Sequence, residues 1–214
     1  MIEGVKIMIL EHLVVGELGT NCYIVACPET KEAVVIDPGG NVDSIIAKIA
    51  ELKLQVRYII NTHGHYDHIL GNKSVKEHTQ ADILIHELDA DYLKKPALSL
   101  SSYFGEISAN VPANRLLHED EIINIGKSVS LKVIHTPGHT PGGISLLAGK
   151  NLFSGDTLFA GSVGRTDLPG GSMENLIAGI KTKLLHLDDD IIVYPGHGPF
   201  TTIGDEKTNN PYLA

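Results

Sequence analysis

No tryptophan occurs among the 214 residues, and aromatic side chains make up only 5% of them. Such a chain offers no row of rings on which the bases of a single strand would stack. Cations are the minority as well: 17 Lys and Arg stand against 26 Asp and Glu, a formal net charge of −9 at pH 7. That excess repels a polyanion on average, so no nucleic-acid partner is expected. Bound divalent ions would offset part of it locally. Cysteine is scarce: Cys22 and Cys27 in "TNCYIVAC" are the only two. In an extended run, five steps separate them by about 16 Å, beyond the reach of a disulfide. The odd separation also turns them to opposite faces, so two reduced, packed thiols are expected. No apolar run approaches the length of a membrane span. The N-terminal "MIEGVKIMILEHLVVGELG" is interrupted by Glu3, Lys6 and Glu11, with neither a basic leader nor a small-residue cleavage site. A cytoplasmic protein with no membrane partner is the expectation.

What the chain does have is ordinary globular composition, 43% hydrophobic and 20% charged, and enough length for a real core. Apolar, β-branched runs recur: "TNCYIVAC", "EAVVIDPGG", "VRYIINTHG", "ADILIH", "LKVIHTPGH", "ISLLAG", "NLFSGD" and "IIVYPGHG". Helical periodicity lies between some of them. Ile45, Ile46, Ile49 and Leu52 share one face, as do Leu176, Ile177, Ile180 and Leu184, with Ser172 placed to cap the second helix three residues before Asn175. A third helix is expected through "GNKSVKEHTQ". Residues 87–115 are poorly patterned and read as loop and short helix. With no low-complexity linker or charge block, 1–214 reads as a single domain of layered α/β architecture.

Three histidines and an aspartate fall within "NTHGHYDHILGN": His63, His65, Asp67 and His68. His63 and His65 are two apart, which places them on one face of an extended segment but not of a helix. They follow the strand-like "VRYIIN". Asp67 and His68 come where the chain would turn into the next helix. Three later strands end alike, on Gly or Pro with one coordinating residue: His139 after "LKVIHTPG", Asp156 after "NLFSG", His197 after "IIVYPG". In layered α/β folds the carboxyl ends of strands gather ligand sites. Imidazole and carboxylate without thiolate suit zinc, with iron and manganese close behind. Seven ligands exceed what one catalytic ion takes and fit two ions about 3.5–4 Å apart. The assignment is His63, His65 and His139 to one ion, Asp67, His68 and His197 to the other, with Asp156 bridging.

His12, His78, His86, His118, His135 and His186 have no such setting and read as structural. The pairs His86–Glu87 and His118–Glu119 lack the second histidine of an H-E-x-x-H site. "GKS" at 126–128 lacks a phosphate-cradling glycine at 121, which is Glu121.

"THGHYDH", "TPGHTPG", "GDTLF" and "YPGHG", in that order and along nearly the whole chain, resemble the metallo-β-lactamase superfamily. The resemblance implies a four-layer αββα sandwich, two mixed sheets flanked by helices, with the metals at one edge. It implies the same ligand roles for the seven residues. Asp156 stands where many true metallo-β-lactamases carry a cysteine ligand, which argues against antibiotic hydrolysis. "GTNCYIV", "VVIDPGG", "GRTDLPGG" and "NNPYL" look most like the small glyoxalase II-type hydrolases, related to hydroxyacylglutathione hydrolase. The C-terminal helical domain with which longer glyoxalase II enzymes help hold glutathione has no counterpart here.

The expected reaction is hydrolysis of a small acyl thioester, such as S-lactoylglutathione, by a hydroxide bridging the two ions. Asp67 and Asp156 take the catalytic roles, and Asp67 also orients the nucleophile. Arg165 is a candidate for a substrate carboxylate, or else for a salt bridge with Asp167. Tyr66 lines the mouth of the site or simply packs, and Tyr103 and Phe104 are candidates for a lid. The same resemblance leaves a persulfide dioxygenase open, with one iron on His63, His139 and Asp156.

Overall fold

The computed structural model describes residues 8–104 and 111–214, apart from the side chain of Phe104. Six strands form the first sheet in chain order: β1 (Ile9–Val15), β2 (Thr20–Ala26), β3 (Glu32–Ile36), β4 (Gln55–Ile60), β5 (Asp82–His86) and β6 (Arg115–Leu117). β1 to β3 run antiparallel and β3 to β6 parallel. Parallel neighbours need crossovers. These carry α1 (Val42–Glu51), the short α2 (Tyr66–Ile69), α3 (Asn72–Thr79) and α4 (Pro96–Ser99). Then come β7 (Ile122–Ile125), β8 (Val129–His135), β9 (Ile144–Ala148) and β10 (Asn151–Gly155). The two-stranded ribbon β11 (Leu158–Phe159) and β12 (Ser162–Val163) follows, then α5 (Met173–Gly179), β13 (Ile192–Pro195), β14 (Thr201–Thr202) and α6 (Ile203–Asn209). The second sheet has the spatial order β14-β13-β10-β9-β8-β7, with only β10 and β13 parallel.

β2 shows why two sheets stack. Cys22, Ile24 and Ala26 pack with Ile45, Ile49 and Val75 of α1 and α3 on one side. Tyr23, Val25 and Cys27 face Leu131, Val133, Leu146 and Phe153 of the second sheet on the other. A strand buried on both faces reads as a continuous apolar run, as this one does. The two cysteines are buried, free and turned to opposite layers, as their spacing predicts. The outer face of the second sheet, Leu152 and Val193, is covered by Leu176, Ile180, Leu184 and Ile203. Helix, sheet, sheet and helix are thus stacked around three apolar layers, the αββα sandwich that the motifs imply.

Ser172 caps α5, its hydroxyl accepting from the Asn175 backbone N–H at 3.3 Å. The helix then widens into a π-turn, Ile180–Leu184, which periodicity did not predict. β1, β7, α6 and the short β6, β11, β12 and β14 were also not predicted. Residues 87–115 hold only turns, α4 and β6 among the described residues. No described helix is long and apolar enough to cross a membrane.

Of the histidines read as structural, His86 carries a testable consequence. Its ring lies flat on that of His135, centroids 4.1 Å apart and 11° from parallel. Leu88 N–H donates to its Nδ1 at 3.3 Å. Burial first, then His135 and His118 against the opposing Glu87 and Glu119, takes its pKa from 6.5 down to about 4. Between those values the unfolded chain binds the proton and the folded one does not, so this contribution to stability is lost as pH falls. We expect His86→Asn to lose less Tm than the native chain between pH 6.5 and 4. Parallel curves of Tm against pH would contradict this.

Candidate metal centre

All seven candidate ligands meet at one edge of the sandwich. Past the end of β4 the chain bends at Thr62 and His63, and an extended His65, φ −70° and ψ 149°, leads into α2 with Asp67 and His68. His139 follows the turn after β8, Asp156 follows β10 and His197 follows β13. Three overlapping groups have ligand atoms within 4.8 Å of one another: His63, His65 and His139; His63, His68 and Asp156; Asp67, His68 and His197. Two glycines are required by close approach. A Cβ on Gly196 would lie 2.1 Å from Asp156 Oδ1, and one on Gly39 would lie 1.7 Å from the Asp67 carbonyl.

The hydrogen-bond pattern tests whether a cation fits. His68 Nδ1 donates to Asp37 Oδ2 at 3.0 Å, which leaves a lone pair on Nε2. That lone pair faces Asp67 Oδ2 and Asp156 Oδ1, each at 3.4 Å, and His197 Nε2 at 3.2 Å. His139 Nδ1 donates to the Arg165 carbonyl at 2.7 Å, so its Nε2 points as a lone pair to His65 Nδ1 at 2.9 Å and Asp156 Oδ2 at 3.5 Å. His63 Nε2, His65 Nε2 and Asp156 Oδ1 are buried without a hydrogen-bond partner. Electron pairs turned on one another in a buried site are costly, and positive ions among them remove the conflict. The donor set therefore fits divalent metal.

Electrostatics divide the site. Burial and then the neighbouring imidazoles hold His63 well below 6.5, and burial with His139 takes His65 down to about 3. Both are neutral, the form that binds metal. Burial would also lower His68, but Asp67, Asp156 and Asp37 outweigh it and lift the imidazolium to about 10. Burial would raise the Asp67 carboxyl, yet His68 and His197 hold it below the usual carboxylate range. Without an ion, a proton on His68 balances the carboxylates.

Sequence reasoning missed the residues that aim these ligands. Asp37, buried and in the left-handed region at φ 50°, takes hydrogen bonds from His68 and from the Thr62 hydroxyl at 2.6 Å. Thr62 in turn lies 3.2 Å from His63 Nδ1. Thr20 donates to Asp67 Oδ2 at 3.2 Å. Asp37 did carry a signal, since "VVIDPGG" is another strand exit followed by Pro and Gly.

A cleft of about 430 Å³ opens over the ligands, walled by Leu18, Leu100, Phe159, Val163 and Leu168. Tyr66 borders it and also a second hollow on the β1–β2 side. Arg165 lines the cleft while forking onto Asp167, Nε to Oδ1 at 2.8 Å and Nη2 to Oδ2 at 2.7 Å. Tyr103 is 80% exposed and does not line this cleft, where Leu100 does. The Phe104 side chain lies outside the described residues.

The model of the metallo-β-lactamase superfamily matches residues 15–197, from the end of β1 to the last candidate ligand. The chain belongs to that superfamily. Among relatives of this metallo-hydrolase, hydroxyacylglutathione hydrolase GloC of Haemophilus influenzae is 39% identical over 96% of this chain and 98% of its own. The crystal structure of BLEG-1, described as a B3 metallo-β-lactamase, superposes with a TM-score of 0.91 at 39% identity, covering 96% of this chain and all of that one. TTHA1623 in a di-iron-bound form does so with a TM-score of 0.84 at 35% identity, over 95% of this chain and all of the other.

Proposed function

We propose that this metallo-hydrolase cleaves small acyl thioesters, S-lactoylglutathione or a related hydroxyacyl thioester, using two divalent ions. Zinc is the first choice; the di-iron relative supports iron as the next, and manganese suits the same ligands. The observation that carries the reading is the convergence of unpartnered imidazole and carboxylate atoms beneath an apolar-walled cleft. The similarity to GloC points to the thioester. His63, His65 and His139 would hold one ion, Asp67, His68 and His197 the other, and Asp156 both. When bound, such ions bring the pKa of a water from ~15.7 to ~7 and offer positive charge to a developing oxyanion. Asp67, whose Oδ2 accepts from Thr20, would also orient the attacking water. Leu18, Phe159 and Val163 would offer the acyl group an apolar wall. Arg165 and Tyr66 meet the carrier at the rim. The thiolate leaves unaided, since its conjugate acid has a pKa near ~8.5.

Metal analysis of the purified chain, paired with lactoylglutathione, β-lactam and glutathione persulfide assays, tests this. Two ions per chain with thiol release from the thioester is the expected result. One iron per chain with oxygen uptake on the persulfide would replace it by the dioxygenase reading on His63, His139 and Asp156. Turnover of the β-lactam alone would replace it by a lactamase.

A further inference from the structure

Asp89 is a fully buried carboxylate that none of the ligand assignments uses. It ends the 3-10 turn Glu87–Asp89 after β5, in the stretch where the sequence pattern was weakest. Among the described residues no Lys or Arg pairs with it. Its partners instead come from two loops. Oδ2 accepts from the Gly64 N–H at 3.0 Å and from the Thr140 hydroxyl at 2.7 Å, and Oδ1 accepts from the Gly142 N–H at 2.6 Å. Gly64 stands between His63 and His65; Thr140 follows His139. One side chain thus ties together the two loops that carry the three-histidine group. Both glycines sit in close contact with their surroundings. A Cβ on Gly64 would lie 2.2 Å from the Tyr92 side chain, and one on Gly142 would lie 2.6 Å from Asp89 itself.

We propose that Asp89 is a positioning residue for one ion of the pair, fixing the spacing of His63 and His65 against His139. The inference rests on the two-ion reading of the site and not on the thioester. An ionised carboxylate is acceptor-only and satisfies all three donors at once, with charge-assisted strength. An amide at the same place turns an NH₂ group towards at least one backbone N–H. The cost falls on the His63–His65–His139 group. Asp67 accepts from Thr20, His68 donates to Asp37 and His197 meets Asp67, so this second group has no hydrogen bond to Asp89. Partners that orient metal ligands are typically worth 10–100-fold in metal affinity.

The test is zinc titration against a chromophoric chelator on the native chain, Asp89→Asn and Thr140→Val, with circular dichroism and Tm alongside. Asp89→Asn is expected to bind one ion as the native chain does and the other about 10–100-fold more weakly. Thr140→Val, which removes one of the three hydrogen bonds, should weaken the same ion by a few-fold and carries the test if Asp89→Asn does not fold. Native affinity for both ions in folded Asp89→Asn, or in Thr140→Val where that variant carries the test, would overturn the role of Asp89. So would equal weakening of both ions. If the native chain itself takes up fewer than two ions, the two-ion reading fails and the inference with it.

Discussion

Removal of divalent metal with a strong chelator is expected to lower thioester hydrolysis by more than about 10⁴-fold, and zinc should restore it. At pH 7, water of pKa ~15.7 yields hydroxide roughly 10⁸-fold more rarely than water of pKa ~7, so a large loss survives any discount for weaker nucleophilicity. Four of the ligands are poorly suited to replace what is lost. A general base works best with a pKa near the operating pH. Burial and His139 put His65 near 3. His63 lies well below its ordinary value, also by burial, and Asp67 is held low by His68 and His197 despite its own burial. His68 errs in the other direction, near 10, because three carboxylates outweigh its burial. Each of these four groups is therefore a poor proton acceptor at neutral pH. A chelated chain that keeps more than about a tenth of its thioesterase rate would sink the proposal, provided metal analysis finds the ions gone.

The candidate ligands were legible because five of the seven flank a Gly past an apolar strand and the other two, Asp67 and His68, lie in the same short motif as His63 and His65. The sandwich was legible for a related reason: β2 and β3 are buried on both faces and read as unbroken apolar runs. Asp37 and Asp89 were not recognised, because a carboxylate that accepts from backbone N–H groups has no fixed spacing to its partners. Gly64 and Gly142 are far from Asp89 in the chain and contribute no side chain to a pattern. β6 and β14 run for only three and two residues, too short for alternation to show. The apolar stretch of β1 was visible, but scattered charges hid its strand character. Arg165 was left between a substrate role and an ion pair. The structure shows the ion pair, a fork onto Asp167 at the rim of the cleft.

Asp156→Asn is expected to lower kcat/KM on the order of 10³-fold, the scale of removing one preorganised electrostatic group from an active site, and to bind fewer than two ions while keeping the native fold. Asp156 is the candidate ligand whose oxygens address both halves of the site. Its Oδ1 is 3.4 Å from His68 Nε2, and its Oδ2 is 3.5 Å from His139 Nε2 and 3.7 Å from His197 Nε2. Asparagine keeps the shape but withdraws the charge and turns an NH₂ group towards ligands that need a cation between them. Asp67→Asn touches only one group of ligands and should leave the other ion in place. Metal stoichiometry separates the two variants before any rate is measured. Asp156→Glu then separates charge from position. The extra methylene must move a carboxylate that is packed against the Gly196 backbone, where a Cβ would lie 2.1 Å from Oδ1. Since a displacement of about 1 Å at a reacting centre can cost about 10²-fold, Asp156→Glu should keep its charge and still fall well short of the native rate. If Asp156→Asn holds two ions and turns over as the native chain does, the shared-ligand role is wrong. If Asp156→Glu alone is fully active, charge rather than placement is what this position supplies.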